Sequence, residues 1–282
     1  MAMQHNVCGV AALRRAARAV QCGDAGYVAC ISADANQVDT FRKMLGSFSQ
    51  YAQDAVYPYG SGGPNGSFAF LTNYYMREYG ATREDFGKLC VAQRTNALAN
   101  PNALFKKPLT LDEYLDARVI AEPLYLFDCV MPCAGGEGFM VMSRENAERK
   151  GLPYVNVLST IERHNAFPDD PIQMRGGWVL DIDELYDVAG KTPEDIDFLC
   201  TYDDYPVINV LQLEDLGFCG KGEGPDFIRG HEFTWVGTKS GGKYPYQDSS
   251  ADHPTNRHHK SPEGLDMEIK GPKMAPQIRQ IN

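Results

Sequence analysis

The chain has 282 residues, a formal net charge of −10, 43% hydrophobic and 23% charged residues, so it can bury one large core or two modest ones. No Lys/Arg cluster marks a nucleic-acid footprint, and no apolar run approaches the ~18 residues of a membrane-spanning helix. Met1-Ala-Met-Gln-His-Asn6 lacks the basic and apolar regions of a signal peptide, and the composition is that of a soluble globular protein.

Residues 9 to 22 are rich in Ala, Leu and Arg and read as a helix, with Gly23 as the residue that ends it. Tyr27-Val-Ala-Cys-Ile-Ser32 is a short apolar run, expected as a buried parallel strand. Tyr57 to Gly66 is loop by composition, and Phe68 to Tyr79 is an aromatic-rich helix. Thr82-Arg-Glu-Asp85 resembles a capping box opening a helix to about Ala97, which Asn100-Pro101 stops. Thr110-Leu-Asp-Glu113 opens a short helix by the same logic. Gly138 to Ser143 reads as a strand, Arg144 to Lys150 as a helix and Tyr154 to Ile161 as another strand. Asp181 to Val188 is helical, and Thr192-Pro-Glu-Asp195 is a turn.

The next stretch is the most informative. Ile196 to Gly224 reads as a buried strand, a polar turn at Tyr202-Asp-Asp-Tyr205, an amphipathic helix and a glycine-rich exit. Two carboxylates and two phenols gather where a strand ends and a helix begins, the place where α/β proteins collect ligands. Tyr202 and Tyr205 could instead cap the strand end with apolar rings and wet hydroxyls. From Gly241 the composition turns to Pro, His, Lys, Ser and Asp, expected as a loosely attached tail.

The eight cysteines are scattered through apolar segments, and Cys129 and Cys133 lack a second pair at zinc-site spacing. Free thiols in the cytoplasm, with no metal site, are the expectation. His253, His258 and His259 form a cluster only by count. His164-Asn165 is a solvated loop pair or a donor to a carbonyl. Gly60 to Gly66 and Gly220-Lys-Gly-Glu-Gly224 both lack the Gly-Lys-Ser/Thr ending of a phosphate-binding loop.

Four stretches in order resemble the thiolase superfamily, in particular its sterol-carrier-protein branch. They are Cys8-Gly-Val-Ala-Ala-Leu-Arg-Arg-Ala-Ala-Arg-Ala-Val-Gln-Cys-Gly23; Ala97-Leu-Ala-Asn-Pro-Asn-Ala103 with Pro123-Leu-Tyr-Leu-Phe-Asp-Cys129; Thr192-Pro-Glu-Asp-Ile-Asp197; and Leu213-Glu-Asp-Leu-Gly-Phe-Cys-Gly-Lys-Gly-Glu-Gly224. The match runs over about residues 5 to 235. It implies an α/β fold, the thiolase-like αβαβα layers, incomplete at the N- and C-termini. The implied divisions are 1–35, a remnant of the N-terminal half; 36–136, a helical loop domain; 137–150, the last strand and helix of the N-terminal half; 151–240, a partial C-terminal half; and 241–282, a divergent tail.

The resemblance also implies chemistry beside a coenzyme A thioester, with the acyl-CoA as substrate and no covalently bound cofactor. It implies a homodimer, and a small OB-fold partner protein of the kind that retro-aldolases in this superfamily use. In thiolases a cysteine at a helix N-terminus carries the acyl group. Here Asn6 occupies that position, and Cys8 lies two residues later. Cys8 serves as nucleophile if the register slips, or packs as a small hydrophobe. Tyr202 stands where such thiolases hold a histidine. A Tyr202-Asp203 pair is similar to the steroid side-chain aldolases, which cleave a β-hydroxyacyl-CoA without a cysteine. Tyr202 is then the acid/base, oriented by Asp203 or Asp204. The alternatives are an acetyltransferase using Cys8 and a non-catalytic thiolase-like subunit.

Overall fold

A computed structural model describes residues 9–34, 58, 63–100, 103–130, 134–170, 172–196, 199–234 and 246–248, the last three as backbone alone. Asn6, Cys8, Cys133, His253, His258 and His259 lie outside the described residues.

Helix α1, Gly9–Gln21, turns the small side chains of Ala11 and Ala16 inward. Gly23, at φ +80°, closes it: the Gly23 N–H reaches Val20 O at 3.2 Å and the Asp24 N–H reaches Ala19 O at 3.0 Å. This pairing satisfies carbonyls that the helix end would leave open. Strand β1, Tyr27–Asp34, follows. It is neither parallel nor buried, contrary to its apolar run. It pairs antiparallel with Gly135–Met142, from Tyr27↔Met142 to Asp34↔Gly135. Ile31 is 79% and Met140 58% exposed. An apolar run buries only where something covers it, and among the described residues α1 packs on this pair without enclosing both faces.

Helix α2 spans Gly63–Tyr79 and α3 spans Arg83–Ala97. The first turn of α2 takes in part of the stretch expected as loop, because Pro64 needs no hydrogen-bond partner in a helix's first turn. The Asp85 carboxylate accepts from the Thr82 N–H at 2.8 Å, as the capping box requires, and Arg229 grips the same carboxylate at 2.6 and 2.8 Å. Helix α4, Leu111–Leu115, has the reciprocal box: Thr110 N–H to Glu113 at 2.9 Å and Glu113 N–H to Thr110 at 3.1 Å. Strands β2, Val119–Ala121, and β3, Leu124–Tyr125, make a small hairpin around a cis Glu122–Pro123 bond. Strand β4 is the Gly135–Met142 partner of β1, and helix α5 is Arg144–Arg149.

The expected strand at 154–161 does not form. A strand needs a neighbour's N–H and C=O groups, and none of the described residues supplies a ladder there. Side chains hold the segment instead: Tyr154 donates to Glu148 at 2.8 Å and Arg14 to Thr160 O at 3.0 Å. Helix α6, Ile182–Ala189, ends at Gly190 with φ +62°. Strand β5, Leu199–Thr201, leads into helix α7, Pro206–Asp215, and helix α8 follows at Gly224–Gly230, opening on the last glycine of the glycine-rich exit. Strand β6, Tyr246–Asp248, pairs parallel with β5, so this part of the expected loose tail joins the fold.

The core gathers around α7. Val207, Val210 and Leu213 meet Tyr75 of α2, Phe86 and Leu89 of α3 and Ile228 of α8, all at most 3% exposed. Each such aliphatic or aromatic side chain contributes roughly 1.5–3 kcal/mol on burial. Among the described residues no helix is long and apolar enough to cross a membrane.

A tyrosine–aspartate turn at the head of a buried helix

The segment 201–215 carries polar groups into the core. Pro206 opens α7 after Tyr205, whose extended backbone (φ −144°, ψ 143°) makes it the N-cap. The helix is not amphipathic. Val207, Asn209, Val210, Leu211, Gln212, Leu213, Glu214 and Asp215 are all buried. Buried polar side chains need partners, and those of α7 find them at its two ends.

At the head, the Tyr202 phenol donates to the carboxylate of Asp204, which is 4% exposed. The Tyr202 N–H donates to Gln212 Oε1 at 2.9 Å, and the Tyr202 carbonyl accepts from Gln212 Nε2 at 2.7 Å and Asn209 Nδ2 at 3.0 Å. Tyr205 is 2% exposed, stacks on Phe68 with ring centres 4.3 Å apart and donates to Asn65 Oδ1 at 2.6 Å. Burial, then the nearby Cys129 and Asp204, push the Tyr205 phenol above its ordinary range. Tyr205 is therefore a fixed neutral ring that shapes the turn.

At the tail, the fully buried Glu214 carboxylate accepts from the Tyr75 hydroxyl, from the Gly222 N–H at 3.1 Å and from the Gly224 N–H at 3.2 Å. Lys221 Nζ lies 3.1 Å from its other oxygen and 3.2 Å from Asp215, which also accepts from the Gly176 N–H at 2.7 Å. Burial raises the Asp215 pKa above the usual carboxylate range. The cluster ties the Gly217–Gly224 loop and the 174–176 segment to the end of α7. Gly222, at φ +85°, supplies the left-handed turn that this wrap needs.

Of the residues singled out from sequence, Tyr202 and Asp203 sit half-buried at this turn. The phenol pairs with Asp204, one of the two orienting carboxylates considered, while Cys8 is outside the described residues. His164 is exposed and shares Glu162 with Arg15, whose hydrogen bond, followed by that of His164, holds that carboxyl down at about 2. A cavity of about 390 Å³ lies elsewhere, between α3, α4 and α8, beside Lys88, Leu111, Arg229 and Phe233. Sequence reasoning missed Asn209, Gln212 and the Glu214 clasp. Four polar side chains in an otherwise apolar ten-residue helix were the available signal.

Residues 183–249 match the family described as "Thiolase C-terminal domain-like", which takes in most of α6, the turn, α7, α8 and β6. A solved structure described as the "Ltp2-ChsH2(DUF35) aldolase" superposes with a TM-score of 0.68 at 31% identity, over 83% of this chain and 61% of that one. The chain is a thiolase-superfamily relative. The "Steroid side-chain-cleaving aldolase" of Thermomonospora curvata is 35% identical over 239 residues, 78% of this chain and 60% of the relative. The "17-hydroxy-3-oxo-4-pregnene-20-carboxyl-CoA lyase" of Mycobacterium tuberculosis is 35% identical over 183 residues, 61% of this chain and 47% of the relative. The chain thus spans about half the length of the curated relatives it matches. Its fold is thiolase-like α/β.

Proposed function

We propose that this chain cleaves a carbon–carbon bond in a β-hydroxyacyl-CoA by a retro-aldol reaction, with Tyr202 as the acid/base and Asp204 orienting its phenol. The observation that carries the reading is the Tyr202 hydroxyl donating to a 4% exposed carboxylate, at a strand-to-helix turn inside the thiolase-like segment. Asp203, the adjacent carboxylate in the chain, is proposed to share that role. The name of the mycobacterial relative describes a substrate with a hydroxyl β to a thioester carbonyl, which is the pattern retro-aldol chemistry requires.

The atoms balance without a resident cofactor. The substrate hydroxyl gives its proton to the Tyr202 oxygen as the Tyr202 proton shifts to Asp204. The C–O bond becomes C=O, the Cα–Cβ bond breaks, and its electron pair becomes the thioester enolate. A proton then returns through Tyr202 to the α-carbon. A half-buried, hydrogen-bonded phenol suits both directions of this transfer. Coenzyme A stays attached throughout, so no cysteine nucleophile is needed, and Cys8 takes no part in the step.

The assembly belongs to the same proposal: a homodimer working with a partner chain, of which the ChsH2(DUF35) component of the solved aldolase is the model. The chain's location is proposed to be cytoplasmic. The test is Tyr202→Phe, assayed on 17-hydroxy-3-oxo-4-pregnene-20-carboxyl-CoA with the partner present. Removing a general acid–base group lowers kcat by about 10²–10⁴-fold. Unchanged turnover rejects the role.

A further inference from the structure

A strand end needs something to hold its backbone. β6 flanks β5 as far as Thr201, opposite Asp248. Among the described residues the ladder runs no further than Thr201, and side chains from α7 hold the backbone at Tyr202. The Gln212 carboxamide accepts from the Tyr202 N–H at 2.9 Å and donates to the Tyr202 carbonyl at 2.7 Å. One side chain thus makes both bonds that a facing strand residue would make. Asn209, three residues earlier and so on the same helix face, donates from Nδ2 to the same carbonyl and to Thr201 Oγ1, each at 3.0 Å. The amide orientations are fixed. Flipping Gln212 would set N–H against N–H and oxygen against oxygen, and flipping Asn209 would set its oxygen against the Tyr202 carbonyl.

Stability alone does not favour this arrangement. Asn209 is 1% exposed, and its Oδ1 has no hydrogen-bond partner among the described residues. A leucine there would avoid that desolvation cost. The arrangement does fix the Cα of Tyr202, and with it the arc its phenol sweeps. The hydroxyl then meets Asp204 two residues on.

We propose that Gln212, assisted by Asn209, is a positioning residue that clamps the Tyr202 backbone so that the phenol is held against Asp204 and toward substrate. The inference rests on Tyr202 being the acid/base. It extends the site from the turn into the buried face of α7.

The test is a double-mutant cycle on the full chain with its partner, using 17-hydroxy-3-oxo-4-pregnene-20-carboxyl-CoA as the probe. Gln212→Met keeps length and removes both hydrogen bonds. Gln212→Leu also removes both hydrogen bonds with a shorter apolar side chain, so it serves where the methionine variant folds poorly. The expected result is a fall in kcat of about tenfold to a hundredfold with KM within about twofold. Hydrogen exchange at the Tyr202 amide speeds up at least about tenfold, and the cooperative melt remains. In the Tyr202→Phe background, Gln212→Met lowers kcat no further. An equal fall in both backgrounds overturns the inference, because Gln212 would then act without Tyr202. A fall in Tyr202→Phe with none in Gln212→Met overturns the inference alone. Full turnover in Tyr202→Phe, or none in the unmodified chain, overturns the catalytic reading and this inference together.

Discussion

Tyr75→Phe tests the clasp at the tail of α7, the helix whose head carries the site. Tyr75 is 0% exposed, and its hydroxyl is, among the described residues, one of three hydrogen-bond donors to the Glu214 carboxylate, the others being the Gly222 and Gly224 N–H groups. Lys221 supplies the neighbouring positive charge at 3.1 Å. The substitution deletes one oxygen and leaves the ring, so packing changes little. What is lost is a buried hydrogen bond to a charged group, about 1.5–3 kcal/mol, or about 3–12 °C in Tm for a chain of this size. The remaining donors keep Glu214 from being stranded, which sets the upper bound. The effect also depends on pH. Burial, and then the hydrogen bond to Glu214, raise the Tyr75 pKa above its ordinary value. The unfolded chain releases this proton near about pH 10, while the folded chain keeps it. The stabilisation is therefore complete below about pH 10 and falls as pH rises further. Urea titrations of both proteins from pH 7 to 11 should show a gap that is constant and then narrows. A variant as stable as the parent, or a gap that widens above pH 10, would refute the clasp as drawn.

Two further outcomes follow from packing and burial. Gly87→Ala pits helix propensity, worth about 1 kcal/mol in favour, against overpacking that costs about 1–3 kcal/mol. The new Cβ would meet Leu111 Cδ1 at 2.6 Å and Tyr114 Cδ1 at 2.7 Å, and Tyr114 is 0% exposed, so the clash wins. A lower Tm is expected; a higher one would show that α4 gives way freely. Burial pushes the Cys129 and Cys219 thiols up to about 12, whereas Cys22 is exposed. Iodoacetamide at pH 8, read by peptide mass, should modify Cys22 at least about a hundredfold faster than either buried thiol; equal labelling would contradict their burial.

Elements that announce themselves locally were legible in the sequence. Thr82-Asp85 and Thr110-Glu113 are capping boxes whose logic closes within four residues, and Gly23 ends α1 through its own backbone. The strands at 27–34, 135–142 and 199–201 were legible as elements, but their pairing was not, because an apolar run does not state its partner. Tyr27 to Ser32 reads as buried and parallel, yet its neighbour comes from residues 135–142 and runs the other way. Residues 154–161 have a strand's composition and no ladder among the described residues. At the site, Tyr202 was legible as an aromatic at a strand end in a thiolase-like frame. Asn209 and Gln212 were not, since both are ordinary helix residues. Only the return of α7 alongside β5 gives their carboxamides a backbone to hold.

The central claim is that a C–C bond breaks while the thioester survives. Incubating the chain and its partner with 17-hydroxy-3-oxo-4-pregnene-20-carboxyl-CoA and weighing every species by mass spectrometry tests it most directly. The account predicts a 17-ketosteroid and a short acyl-CoA in equal amounts, with the protein's mass unchanged. Free coenzyme A together with an acyl adduct on Cys8 would contradict it.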